Sequence, residues 1–238
     1  MKFSFLFITL SLISYRCSCC MTCNLQLRRE IVNSTFFPNL FTMLSAFIVL
    51  ALIVILLVYL SNKKHIKLAN SNLSGFVLNP VPLKTTAVVL GIGIGGFIDG
   101  ILFHQILQWH EMISNKIPPV TLLAKSVNMF WDGLFHAFNL VVVIIGIGLL
   151  WKLLKRNDID KSGNLFFGGL LWGWGLFNIV EGVINHHILK LHFVRDYTTQ
   201  TEVWNYGFLL TSALISFSGY CIALKLPTSK LPTNFNTK

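Results

Sequence analysis

The chain has 238 residues, 54% of them hydrophobic and 12% charged, with a mean hydropathy of +0.67. That balance lies outside the range of a soluble domain and matches a multi-pass membrane protein. The formal net charge of +10 does not argue for nucleic acid as a partner, because most Lys and Arg sit in short connections between apolar runs, where membrane topology places them.

Residues 3–14 form a mostly apolar run behind Lys2. It falls short of the roughly 20 residues a spanning helix needs and resembles a signal-peptide core. Cys17, Cys19, Cys20 and Cys23 crowd the stretch that follows, where metal binding or lipid attachment is the functional alternative. Residues 1–39 read as a dispensable leader or N-terminal extension, with Met21 or Met43 as possible true starts. Residues 40–60 are continuously apolar without one ionisable side chain, which predicts a lipid-facing anchoring helix. The segment S-N-K-K-H-I-K opens a basic polar linker over 61–85. Beyond it come four more apolar spans, at 86–107, 131–153, 165–189 and 204–224, and a tail over 226–238. The expected fold class is all-α integral membrane, with five transmembrane helices and a four-helix core over 86–225.

Basic residues alternate between the connections. Lys63, Lys64, Lys67 and Lys84 precede the first core span, Lys152, Lys155, Arg156 and Lys161 separate the second from the third, and Lys225, Lys230 and Lys238 lie in the tail. The other two connections hold only Lys116, Lys125, Lys190 and Arg195, partly offset by Glu111, Asp196 and Glu202. The positive-inside rule places the first set in the cytoplasm and the second outside.

Within the core one motif comes twice. D-G-I-L-F-H-Q-I-L-Q-W-H, from Asp99, and E-G-V-I-N-H-H-I-L-K-L-H, from Glu181, align at an offset of 82 residues. Asp99 then matches Glu181, His104 matches His186, and His110 matches His192, while Gly91 and Gly93 stand opposite Gly173 and Gly175. Each copy carries an even number of spans, so the core is expected to be two parallel-repeat helical hairpins about an axis along the membrane normal.

Every histidine but His65 falls toward the outer half. An ionisable residue inside a span costs about 2.5–3.5 kcal/mol, so Asp99 and Glu181 need a partner, a cation or water. On uninterrupted α-helices Asp99 and His110 lie eleven residues, about 16 Å, apart in height and cannot share an ion. Three layers are expected: Asp132, His110 and His192 outermost; His104, His136 and His186, with His187 as a further ligand, one turn deeper; Asp99 and Glu181 deepest. One joint resists an α-helix, since His104 sits about 140° around from Asp99, and both face the axis only where the helix rotates or unwinds locally. Imidazole with carboxylate suits copper, zinc or iron, or the group is haem; Asp132, four residues before His136, would orient it. The H-E-x-x-H and di-iron Glu-x-x-His spacings are missing, and no Ser or Cys stands beside a histidine as nucleophile. The competing roles are a metal-binding membrane protein, a haem- or metal-dependent oxidoreductase, a proton or ion pathway through Asp99 and Glu181, and a structural hydrogen-bond network.

The segments G-I-G-I-G-G-F-I-D-G-I-L-F-H-Q-I-L-Q-W-H, W-D-G-L-F-H-A-F and G-W-G-L-F-N-I-V-E-G-V-I-N-H-H-I-L-K-L-H resemble the bacterial membrane proteins of domain of unknown function 2243. The resemblance implies a four-helix membrane core in a bacterial inner membrane and no defined activity. It also implies respiratory oxidase assembly proteins as partners, which would favour copper or haem.

Overall fold

The computed structural model describes residues 24–71 and 78–224, and the N-terminal cysteine cluster and the tail lie outside the described residues. Among these the chain is helical. α1 (Leu25–Ile31) is capped by Asn24, whose side chain accepts from the Gln26 and Leu27 amides. α2 spans Phe36–Ser71, α3 Val81–Asp99, α4 Leu122–Leu154, α5 Gly163–Glu181 and α6 Thr201–Leu224. Five of them, α2 to α6, are long and apolar enough to cross a membrane.

α2 is longer than the 40–60 span that hydropathy marks. Its 36 residues reach about 54 Å, well past a hydrocarbon core of about 30 Å, and run through the start of the expected linker. Nor is it only an anchor. Met43, Ala46 and Leu50 line one face and are buried in the same apolar cluster as Val88, Ile92, Trp131, Phe135 and Phe177. Phe41, Leu52, Ile55 and Leu56 on the other faces are exposed to lipid. At the site end Lys116 Nζ donates to Asn39 Oδ1 at 3.2 Å and Thr42 Oγ1 at 3.3 Å.

α3 and α5 form the inner pair, with 61% and 50% of their most apolar windows buried against 17–28% for α2, α4 and α6. They run parallel and touch through glycine. A Cβ on Gly91 would strike the Leu170 carbonyl, and one on Gly173 would strike the Val88 carbonyl. The two contacts are reciprocal, because 91 to 173 and 88 to 170 are both steps of 82. α4 packs antiparallel on α3, with Leu90 against Gly146 and Gly100 against His136; α6 packs antiparallel on α5, with Gly168 against Gly219 and Gly175 against Ser216. At the end away from the histidines, backbone bonds of 2.9 and 3.0 Å tie Asn79 to Asp158 and Asp160.

Candidate functional site

Each inner helix changes winding at its acid. α3 passes into a π-helix over Gly100–Ile106, and α5 does so over Gly182–Ile188. The wider turn closes i to i+5 bonds, Leu107 N to Leu102 O at 2.8 Å and Leu189 N to Ile184 O at 2.7 Å. Such turns are rare and cluster at functional sites. Here they turn residues five apart onto one face, which resolves the 140° conflict between Asp99 and His104.

The chain then reverses. Gln108 and Lys190 take φ values of 49° and 47°, a left-handed conformation that costs a non-glycine residue about 1–2 kcal/mol. The reversal folds His110 and His192 back beneath the turn that bears His104 and His186. The expected three layers therefore collapse into one: His192 Nε2 stands 3.1 Å from Glu181 Oε1, where a straight helix would separate them by about 16 Å.

The result is a buried cluster. His104, His110, His186, His192, Asp99 and Glu181 are each at most 3% exposed, and Asp132 is 6% exposed. Ring centroids lie 4.3 Å apart for His104 and His110, 4.8 Å for His186 and His192, and 4.5 Å for the stacked pair His110 and His192. Nδ1 of His110 donates to the Val194 carbonyl at 2.8 Å and Nδ1 of His192 to the Met112 carbonyl at 2.9 Å. The two donors, and likewise the two acceptors, stand 82 residues apart. These bonds place the proton on Nδ1 and leave Nε2 of His110 without a hydrogen-bond partner, while Nε2 of His192 meets Glu181 Oε1 at 3.1 Å. Nδ1 of His104 donates to Asp132 Oδ1 at 2.8 Å, which also accepts the Met112 amide at 2.8 Å.

Opposite the imidazole Nε2 atoms stand carboxylates. His104 Nε2 lies 3.3 Å from Asp99 Oδ2, and His186 Nε2 3.2 Å from Glu181 Oε1. Neither contact has hydrogen-bond alignment: both Asp99 oxygens, His104 Nε2, His110 Nε2, Glu181 Oε2 and both His186 nitrogens have no hydrogen-bond partner. So many buried orphans in one place are exceptional in a native structure. Two trios bring their donor atoms within 4.8 Å of one another, His104 with His110 and His192, and Glu181 with His186 and His192.

Seven of the nine residues singled out in the sequence thus meet, and two do not. His136 is half-buried beside Gln105, with Nε2 to Nε2 at 3.0 Å, and stacks on Phe97. His187 packs on Tyr206. Both belong to neither trio: the π-turns rotate His104 and His186 inward, while His136, on α4, packs against Gly100 and Phe97 instead. Asp132 accordingly holds His104, not His136.

Sequence reading passed over three asparagines. Asn185 donates to Glu181 Oε1 at 3.3 Å. Asn128 accepts the Ile113 amide at 3.2 Å, and Asn205 accepts the Val194 amide at 3.0 Å, so each pins a loop that presents an acceptor carbonyl to a histidine. Their signal was position: a buried asparagine in the first turns of both outer helices. Above the cluster the Arg195 guanidinium lies 5.4 Å from Trp109 and 5.1 Å from Trp204, whose rings meet edge to face at 5.0 Å, a cation–π clasp between the two reversing loops.

A cleft of about 230 Å³ beside this clasp reaches His110 and is lined by Glu111, Lys125, Asp196 and Tyr197 among others. Burial holds His110 well below the usual histidine range. Burial, and then the Asp132 charge, push the Glu111 carboxyl up to about 7.

A family model described as "predicted membrane protein" matches residues 86–225. No curated protein and no solved structure matches the chain.

Proposed function

The chain belongs to that family, the predicted membrane proteins of domain of unknown function 2243, and from a membership that names no reaction we propose, on the geometry of the site, that it is a transition-metal-binding membrane protein. The observation that carries this reading is the set of anchored histidines: His104, His110 and His192 each donate Nδ1–H to a carboxylate or carbonyl and hold Nε2 toward a common interior. Metal-ligating histidines are oriented in this way. A tetrahedral ion with bonds of about 2.0–2.1 Å keeps its ligands about 3.3 Å from one another, and the separations of 3.1–3.3 Å between Nε2 and carboxylate fit that edge.

Zinc, copper and iron all accept this donor set; a respiratory oxidase assembly protein as partner would select copper. Haem has less support, because imidazoles packed with centroids 4.3–5.9 Å apart leave no slot for a porphyrin plane. We read the two copies as an internal repeat, and the site as facing the outer side of a bacterial cell membrane. A second reading, a proton relay through Glu181, His186 and His192, rests on the same close contacts.

Alanine replacement separates these. The double replacement His110→Ala with His192→Ala, which takes donors from both trios, should abolish binding of zinc, copper or iron by the purified protein, whereas His136→Ala should keep it. Retention of metal by that double variant would overturn the reading, and absence of metal from the wild type would leave the relay.

A further inference from the structure

Building on the metal-binding reading above, we propose that the cluster holds two divalent ions, one for each copy of the acid-x4-His-x5-His motif: Asp99, His104 and His110 for one, Glu181, His186 and His192 for the other. Four imidazoles and three carboxylates offer more donors than the four that one tetrahedral ion takes. They also divide cleanly. His192 is shared by both geometric trios, but its Nδ1 is committed to the Met112 carbonyl, so it has only Nε2 to give. That atom stands 3.1 Å from Glu181, and Glu181 in turn 3.2 Å from His186.

His104 and His110 are left with free Nε2 atoms and ring centroids 4.3 Å apart. The acid that faces His104 is Asp99, at 3.3 Å, with both oxygens buried and without hydrogen bonds. The reciprocal bonds from His110 to Val194 and from His192 to Met112 make each half hold the other half's histidine in place. Neither half is therefore complete alone.

The halves are not equivalent. Asn128 and Asn205 play the same part on α4 and α6, and four residues further along stand Asp132 and Leu209. Only the first half has a carboxylate behind its histidine, and His186 Nδ1 has no hydrogen-bond partner. Two sites of different affinity follow.

The test is ion stoichiometry in the full chain, stripped with chelator in detergent and titrated with zinc alone, then counted by elemental analysis. Two zinc ions per chain are expected, filling in two steps. Glu181→Gln should lose one and keep the other, and Asp99→Asn should lose the opposite one. One zinc per chain in the wild type overturns the pair while the metal-binding reading stands; no zinc overturns both. Loss of both ions together from either variant, with thermal unfolding unchanged, also overturns the pair. The wild-type count does not depend on how the variants fold.

Discussion

At the scale of single residues, the site is a matter of which nitrogen is tied. A histidine in lipid that donates Nδ1–H to a fixed carbonyl has one lone pair left, and three of the four here are tied to a carbonyl or carboxylate. The identities of these residues were legible in the sequence, because acids and histidines recurring in oily segments have few structural uses. Their grouping was not, since residue counting on straight helices put His110 and His192 a layer too high and brought in His136. Glu111 gives a prediction of its own. In the metal-free protein its carboxyl titrates at about 7 instead of 4.5, so the native state holds a proton that the unfolded chain releases in this window. Stability should fall as pH rises between those values. Glu111→Gln removes the titration, and thermal unfolding should show the variant more stable than wild type at pH 8 and indistinguishable from it at pH 4. Equal gains at both pH values would contradict the assignment.

At the scale of elements, glycine and the π-turn decide the architecture. α3 and α5 approach until the Gly91 and Gly173 backbones meet the opposite carbonyls, as small residues allow between helices in lipid. Gly91→Ala should destabilise the protein by about 1–3 kcal/mol, the usual cost of overpacking. Gly133, with nothing within 4 Å of an added Cβ, should accept alanine without loss. Unfolding in detergent compares the two, and equal effects would show that the close approach is not what holds the pair. The five spans were legible from hydropathy, with ends several residues short at α2 and α4. The π-turns were not, because hydrophobic periodicity assumes one winding throughout. Their trace in the sequence is the five-residue step from Asp99 to His104 and from Glu181 to His186, out of phase with an α-helix and repeated. The packed stripe of α2 was hidden for another reason: a run that is apolar all round marks no face.

At the scale of the whole molecule, the buried acids and histidines gather at one end of the bundle, and the basic connections read from the sequence alternate with those at that end. The loops of 107–121 and 189–200 join the spans beside the site, and the positive-inside rule predicts that they face outward. Single cysteines at the exposed loop positions Val120 and Tyr197, in a background without native cysteines, should react with an impermeant reagent in intact cells; labelling only after lysis would reverse the orientation. The central claim, that these imidazoles and carboxylates hold a metal ion, is tested most directly by X-ray absorption at the edge of the metal carried by the purified protein. The account predicts a nearest shell of nitrogen and oxygen at about 2.0–2.2 Å with the outer scattering of imidazole, lost when His110 and His192 are both replaced by alanine. A sulfur shell, or no metal edge after expression with zinc, copper and iron supplied, would contradict it.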